Sequence, residues 1–250
     1  MRREVILGSG AAFAVGALTA GQSRLNGELA LETGNGLQSA SISMFLSFLI
    51  ASVIVVVIPS LRRALAGVFG SVRLKRLEWW KLMGGVFAAL FLASQSLFVP
   101  ILGVAVFTIA LVAGQLTNSV VVDRLGWGPA GVQVITGARV MSAVLAAVAV
   151  GISVSDRWNA SAGLAVVPLI IAVVAGGGMA IQQAMNGFVA QESREPMAAS
   201  WVNFTVGLSV LLGVTAGLWV FSDVDPGPVP WDRPYLLLGG IVGVLFIATA

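Results

Sequence analysis

Two glutamine–asparagine pairs are the side chains here whose type and spacing best suit molecular recognition. Gln22 and Asn26 are four residues apart, which places them on one face of a helix, and Gln182 and Asn186 repeat the arrangement. An amide both donates and accepts hydrogen bonds. A set of amides therefore suits a neutral or zwitterionic solute and anchors a strongly charged one poorly. Gln95, Thr108, Gln115 and Asn203 are further polar residues in apolar surroundings and complete the set of substrate-binding or gating candidates. Other chemistry lacks its parts. The 250 residues include no histidine and no cysteine, so imidazole bases, thiolate nucleophiles and the usual soft metal ligands are all missing. No enzyme activity, metal site or cofactor is expected. Gly84-Gly85, Gly176-Gly177-Gly178 and Gly239-Gly240 carry no P-loop lysine and follow no strand; they suit close helix contact instead.

The elements that position these residues follow from the charge pattern. Only 10% of residues are charged against 58% apolar, and the mean hydropathy is +0.96. Soluble domains carry roughly 25% charged residues, so a water-exposed globule is excluded. The net charge of +3 is too small to imply a nucleic-acid partner. A bilayer core needs about 20 apolar residues in helix. The charge-free stretches 5–23, 33–61, 82–122, 158–191 and 196–222 are long enough or nearly so, and 140–155 and 234–250 are shorter. The stretch 82–122 would be about 61 Å of helix, two crossings, and Pro100 and Gly103 allow a reversal at its centre. Eight helices are expected near 4–25, 39–58, 79–98, 102–122, 138–154, 163–186, 199–220 and 235–250. Trp201 and Trp219 mark both ends of the seventh, as interfacial tryptophans do.

The chain also repeats itself. An offset of 160 carries Gln22 onto Gln182, Asn26-Gly27 onto Asn186-Gly187, and Ser43–Ser47 onto Asn203–Gly207 without a gap. Past the second loop the offset is 155, which brings Trp79–Gly85 onto Pro234–Gly240. Arg2-Arg3 and the apolar run after them look like a secretory leader, but a removable leader would have no internal twin, so the first helix belongs with the rest. The units are 1–155 and 156–250. Five helices in the first unit make the second enter the membrane from the opposite side. Charge agrees: loop 59–78 holds Arg62, Arg63, Arg73, Lys75 and Arg76, whereas its counterpart 221–233 holds Asp223, Asp225 and Asp232. The positive-inside rule then sets the N-terminus in the cytoplasm. Ala250 aligns with Gln95, so the second unit lacks 60 residues (155 − 95) of its twin, and the expectation is an inverted repeat of ten helices, eight of them visible.

Pro100, Gly103, Phe107-Thr108, Gly114-Gln115 and Asp123-Arg124-Leu125-Gly126 together resemble the YdcZ-like inner-membrane group of the drug/metabolite transporter superfamily, as do Gln22 with Asn26-Gly27, and Asn203-Phe204 with Gly207. The resemblance covers nearly the whole chain. It implies an all-α integral membrane protein with an inverted repeat, located in the bacterial inner membrane and active in solute transport or export. Small multidrug members of that superfamily bind protons and cations through a carboxylate in the first helix. No Asp or Glu lies inside a span here, which leaves such coupling unsupported.

Each candidate has two readings. The glutamine–asparagine pairs are either symmetry-related gates or interhelical hydrogen bonds that hold the bundle together, and Gln115 is either a binding or a scaffolding residue. Arg139 is expected at the start of the fifth helix, snorkelling to the surface. The basic loop 59–78 serves as a topology signal that also touches anionic lipid. The expected function is alternating-access transport of a small solute. The alternative is a non-transporting scaffold or a subunit of a larger membrane complex, and a homo-oligomer is left open.

Overall fold

The computed structural model describes residues 2–155, 158–222 and 227–249. Arg157, Asp223 and Asp225, which carry part of the expected charge asymmetry, lie outside them. The described residues form α-helices and short 3-10 turns: α1 (Arg2–Thr33), α2 (Gly36–Val57), α3 (Pro59–Arg73), α4 (Gly84–Leu125), α5 (Gly137–Ser155), α6 (Trp158–Ser193), α7 (Pro196–Phe221) and α8 (Leu238–Thr249). The stretches Gly36–Val57, Trp79–Leu125, Val166–Ser193 and Pro196–Phe221 are long and apolar enough to cross a membrane, and Gly137–Ser153 and Pro234–Leu245 are shorter apolar helices.

At 42 residues α4 would be about 63 Å long if straight, twice a bilayer core. It is broken at Gly103, whose φ of 77° and ψ of 156° only glycine adopts readily. The packing of its halves shows a reversal. Gly84 lies against Asn186 and Phe87 against Gly178, so the first half runs antiparallel to α6. Leu111 lies against Gly176 and Val122 packs with Ala180 and Ala184, so the second half runs parallel to it. The reversal expected in 82–122 is present, hinged within the expected Pro100–Gly103 segment. Backbones meet directly in the second half: a Cβ at Gly114 would overlap the carbonyl of Val173, and one at Gly176 the carbonyl of Leu111. Small residues permit that approach in membrane helices.

Local geometry repeats at the offsets seen in the sequence. Between α1 and α2, Gly34 has φ 65° and Asn35 caps α2 in extended conformation. Between α6 and α7, Arg194 has φ 56° and Glu195 takes the capping position with φ −139° and ψ 102°, against −142° and 104° at Asn35. The hydroxyls of Thr33 and Ser193 stitch these turns identically, each donating to the carbonyl two residues on and accepting its N–H. The 3-10 turns Trp79–Leu82 and Pro234–Leu237, 155 residues apart, lead into α4 and α8. The first half of α4 lies against α6 and α7, and its counterpart α8 against α1 and α2.

Several elements differ from expectation: α6 spans Trp158–Ser193 against the expected 163–186, and 3-10 turns occupy Trp79–Leu82 and Pro234–Leu237, where α-helix was expected to begin. The helix α1 continues eight residues past the expected limit of 25, through Arg24, Glu28 and Glu32, with Arg24 paired to Glu28 one turn on at 2.8 Å. Charges end a membrane span, yet they do not end a helix once backbone groups can reach water. The segment read as a loop at 59–78 is mostly helix. Pro59 supplies a ready first position for α3. Its stripe of Leu61, Leu65 and Val68 is buried against Val189, Ala198, Ala199 and Val202 of α6 and α7.

Candidate functional site

Six of the eight candidate residues gather into two clusters spaced along the first half of α4. Gln22, Asn26 and Gln95 form the first. The helix α1 places Gln22, Ser23 and Asn26 on its buried face, and α4 delivers Gln95 between them. Asn26 Nδ2 donates to Gln95 Oε1 and Gln95 Nε2 donates to Ser23 Oγ, both at 2.6 Å. Ser43 Oγ of α2 donates to Asn26 Oδ1 at 2.5 Å, and Ser39 Oγ donates to the Asn26 carbonyl at 2.9 Å. The helix α8 closes the far side, where its Gly239 carbonyl accepts from Gln22 Nε2 and its Gly240 carbonyl from Ser47 Oγ. Asn26, Gln95, Ser23 and Ser43 are fully buried. Amides and hydroxyls are thus matched inside an apolar bundle, where an unmatched group would cost about 1–3 kcal/mol.

Gln182, Asn186 and Asn203 form the second cluster around Gly84. A Cβ at Gly84 would stand 2.9 Å from Asn186 Oδ1 and 3.3 Å from Asn203 Oδ1. The corresponding contact in the first cluster is between Gly239 and Asn26 Oδ1. Gly85 presses on the carbonyl of Asn203 and the N–H of Gly207, just as Gly240 presses on those of Ser43 and Ser47. The frame is therefore the same at both ends, whereas the hydrogen bonding is not. Asn203 is 1% exposed, and neither its Nδ2 nor its Oδ1 has a partner. Gln182 Oε1 is likewise buried and unpaired. The twin of Ser23 is Gln183, which is exposed, and that of Ser43 is Asn203 itself. The second cluster therefore holds buried donors and acceptors that the folded chain leaves unused.

Thr108 and Gln115 join neither cluster. Both are on the second half of α4; the Thr108 hydroxyl is buried without a partner, and the backbone at Gln115 lies against Gly176. Arg139 stands at the start of α5, half-exposed and ion-paired to Asp123 Oδ2 of the Asp-x-x-Gly segment. That pair lines a crevice of about 370 Å³ with Ser119, Ser142 and Gln183. Sequence reasoning missed Ser23, Ser39, Ser43 and Ser47. The offset of 160 that sets Ser43 opposite Asn203 is the signal that could have found the central one. Among the described residues there is no cluster of His, Cys, Asp or Glu able to hold a metal ion.

No curated protein and no solved structure matches the chain. A family model does, the one described as "Putative inner membrane exporter, YdcZ", over residues 7–152 and 167–250. The apolar helices, the reversal at Gly103 and the twin clusters are those of a membrane protein, and with most of its length matched the chain belongs to the YdcZ family of the drug/metabolite transporter superfamily.

Proposed function

We propose that this protein is a secondary transporter that exports a small neutral or zwitterionic solute by alternating access. The units 1–155 and 156–250 are inverted relative to each other, with the N-terminus in the cytoplasm. In that frame the Asn26 cluster is the outer gate and the Asn186 cluster the inner one. The observation that carries the reading is their inequality: one glycine–asparagine frame occurs twice, fully hydrogen-bonded at the outer end and unsatisfied at the inner end. A latched outer gate and an unlatched inner gate describe a state that takes solute from the cytoplasm. On switching, Asn203 bonds Asn186 as Ser43 now bonds Asn26, and the outer network opens. Gln182 and Asn203 are the residues proposed to touch the solute first, and Gln115 and Thr108 line the path beside α6.

The test is solute flux into proteoliposomes made with the full chain, across a panel of amino acids, polyols, amides and nucleosides. Saturable flux of at least one member, lost in Asn203→Leu, is expected. No flux above empty vesicles for the entire panel contradicts the reading. A second reading has one observation in its favour: the complete hydrogen bonding of Gln22, Asn26 and Gln95 also suits a purely structural tie between α1, α2, α4 and α8.

A further inference from the structure

We infer that the exposed flank of α3 is a binding surface for anionic phospholipid headgroups. The inference stands independently of the transport reading. With Leu61, Leu65 and Val68 fixed against α6 and α7, helical geometry turns Arg62, Phe69 and Arg73 to one side, 80–120° around the axis from Leu61 at about 100° per residue. Ser71 sits on the opposite side and donates to Glu192 Oε1 of α6 at 2.5 Å, which fixes the rotation of α3 about its own axis. The chain then continues into Lys75 and Arg76, both exposed. Among the described residues, none of Arg62, Arg63, Arg73, Lys75 and Arg76 has an acidic partner, whereas Arg24, Lys81, Arg139 and Arg233 each have one.

Two observations point to a bilayer surface rather than a soluble polyanion. A single residue, Ile58, separates the end of the apolar span α2 from the start of α3, so α3 starts at the membrane boundary. The flank also presents Phe69 at 48% exposure between its cations, and Leu74, at 65%, follows where the helix ends; both are apolar groups that water does not favour and that the acyl boundary accepts. Arg62 and Arg73 are eleven residues apart, about 16 Å along the helix, so they engage separate headgroups, with Phe69 inserted between them.

The full chain, reconstituted in vesicles of pure phosphatidylcholine or of phosphatidylcholine with 30% phosphatidylglycerol, provides the test through amide hydrogen exchange in residues 60–76. Phosphatidylglycerol is expected to slow exchange there, and 0.5 M salt to reverse the effect. Each cation contributes about fivefold to surface affinity, so Arg62→Gln with Arg73→Gln together weakens the response about thirtyfold. Arg124→Gln, a neutralisation on another element, is expected to leave it unchanged. Exchange in 60–76 that ignores phosphatidylglycerol overturns the inference. So does equal protection by heparin or inorganic phosphate over pure phosphatidylcholine, which would assign the flank to a soluble anion.

Discussion

Asn26 and Asn186, twins at an offset of 160 residues, bracket the same half of α4. Asn26 is hydrogen-bonded to Gln95, and Asn186 abuts Gly84, eleven residues earlier on that helix. One helix therefore touches both members of a repeated pair, at points about 16 Å apart along its axis. Under the proposed alternating access, this shared helix is the element that would couple the two ends, loosening one as it closes the other.

The two ends answer differently to loss of an amide. Gln95→Leu strands Asn26 and Ser23 in a buried site and is expected to lower unfolding free energy by about 1–3 kcal/mol. Asn203→Leu removes two groups that have no partner in the folded state. It is expected to leave thermal stability in detergent unchanged or raised while abolishing solute flux. A loss of stability at Asn203 as large as that at Gln95 would mean that its amide is structurally bonded.

Gly114 and Gly176 hold α4 and α6 at backbone contact, so alanine at either forces the helices apart. A cost of about 1–3 kcal/mol or more is expected, seen as a lowered melting temperature. Gly16 is the twin of Gly176, yet nothing lies within 4 Å of a Cβ placed there. Gly16→Ala is therefore expected to be neutral or mildly stabilising, since alanine favours helix by up to about 1 kcal/mol.

The repeated turn offers a comparison of one backbone state with two residues. Gly34 adopts its left-handed conformation without cost, and Arg194 does so at about 1 kcal/mol. Arg194→Gly is expected to raise the melting temperature slightly, and Gly34→Ala to lower it. The opposite signs distinguish backbone strain from any effect of the arginine charge.

The Arg139–Asp123 pair joins α5 to α4 between two half-exposed side chains. Such pairs contribute about 0–1 kcal/mol. Asp123→Asn is therefore expected to shift stability by less than about 1 kcal/mol, with high salt producing a similar small change in the unaltered chain.

Much of this architecture is legible in the sequence because a membrane imposes one strong rule, that apolar runs must be about a bilayer long, and because the repeat supplies a second reading of each element. The reversal near Gly103 and the placing of Gln22 with Asn26 and of Gln182 with Asn186 on shared helix faces follow from those two signals, whereas the 3-10 turns that stand where helices were expected to begin at 79 and 235 do not. The helix α3 was hidden behind its own charge. Leu61, Leu65, Val68 and Val72 repeat at helical spacing, but five nearby cations read first as a topology signal. Ser23, Ser39, Ser43 and Ser47 were hidden for another reason: a hydroxyl in a membrane helix ordinarily bonds its own backbone, as Ser200 and Thr205 do, and spacing alone does not tell which one reaches across to another helix. Gln95 looked peripheral because its helix was expected to end at 98, whereas the helix runs on past Pro100 to the break at Gly103.

The most direct measurement uses the absence of native cysteine. Asn26→Cys with Gly239→Cys forms a pair at one end, and Asn186→Cys with Gly84→Cys forms a pair at the other; in both, the two positions lie side by side. Each pair is cross-linked in proteoliposomes carrying a transported solute, and flux is followed before and after reduction. Gates that open in turn require that either cross-link alone arrests flux and that a reductant restores it. Full flux with either end covalently closed would contradict alternating access between these two clusters.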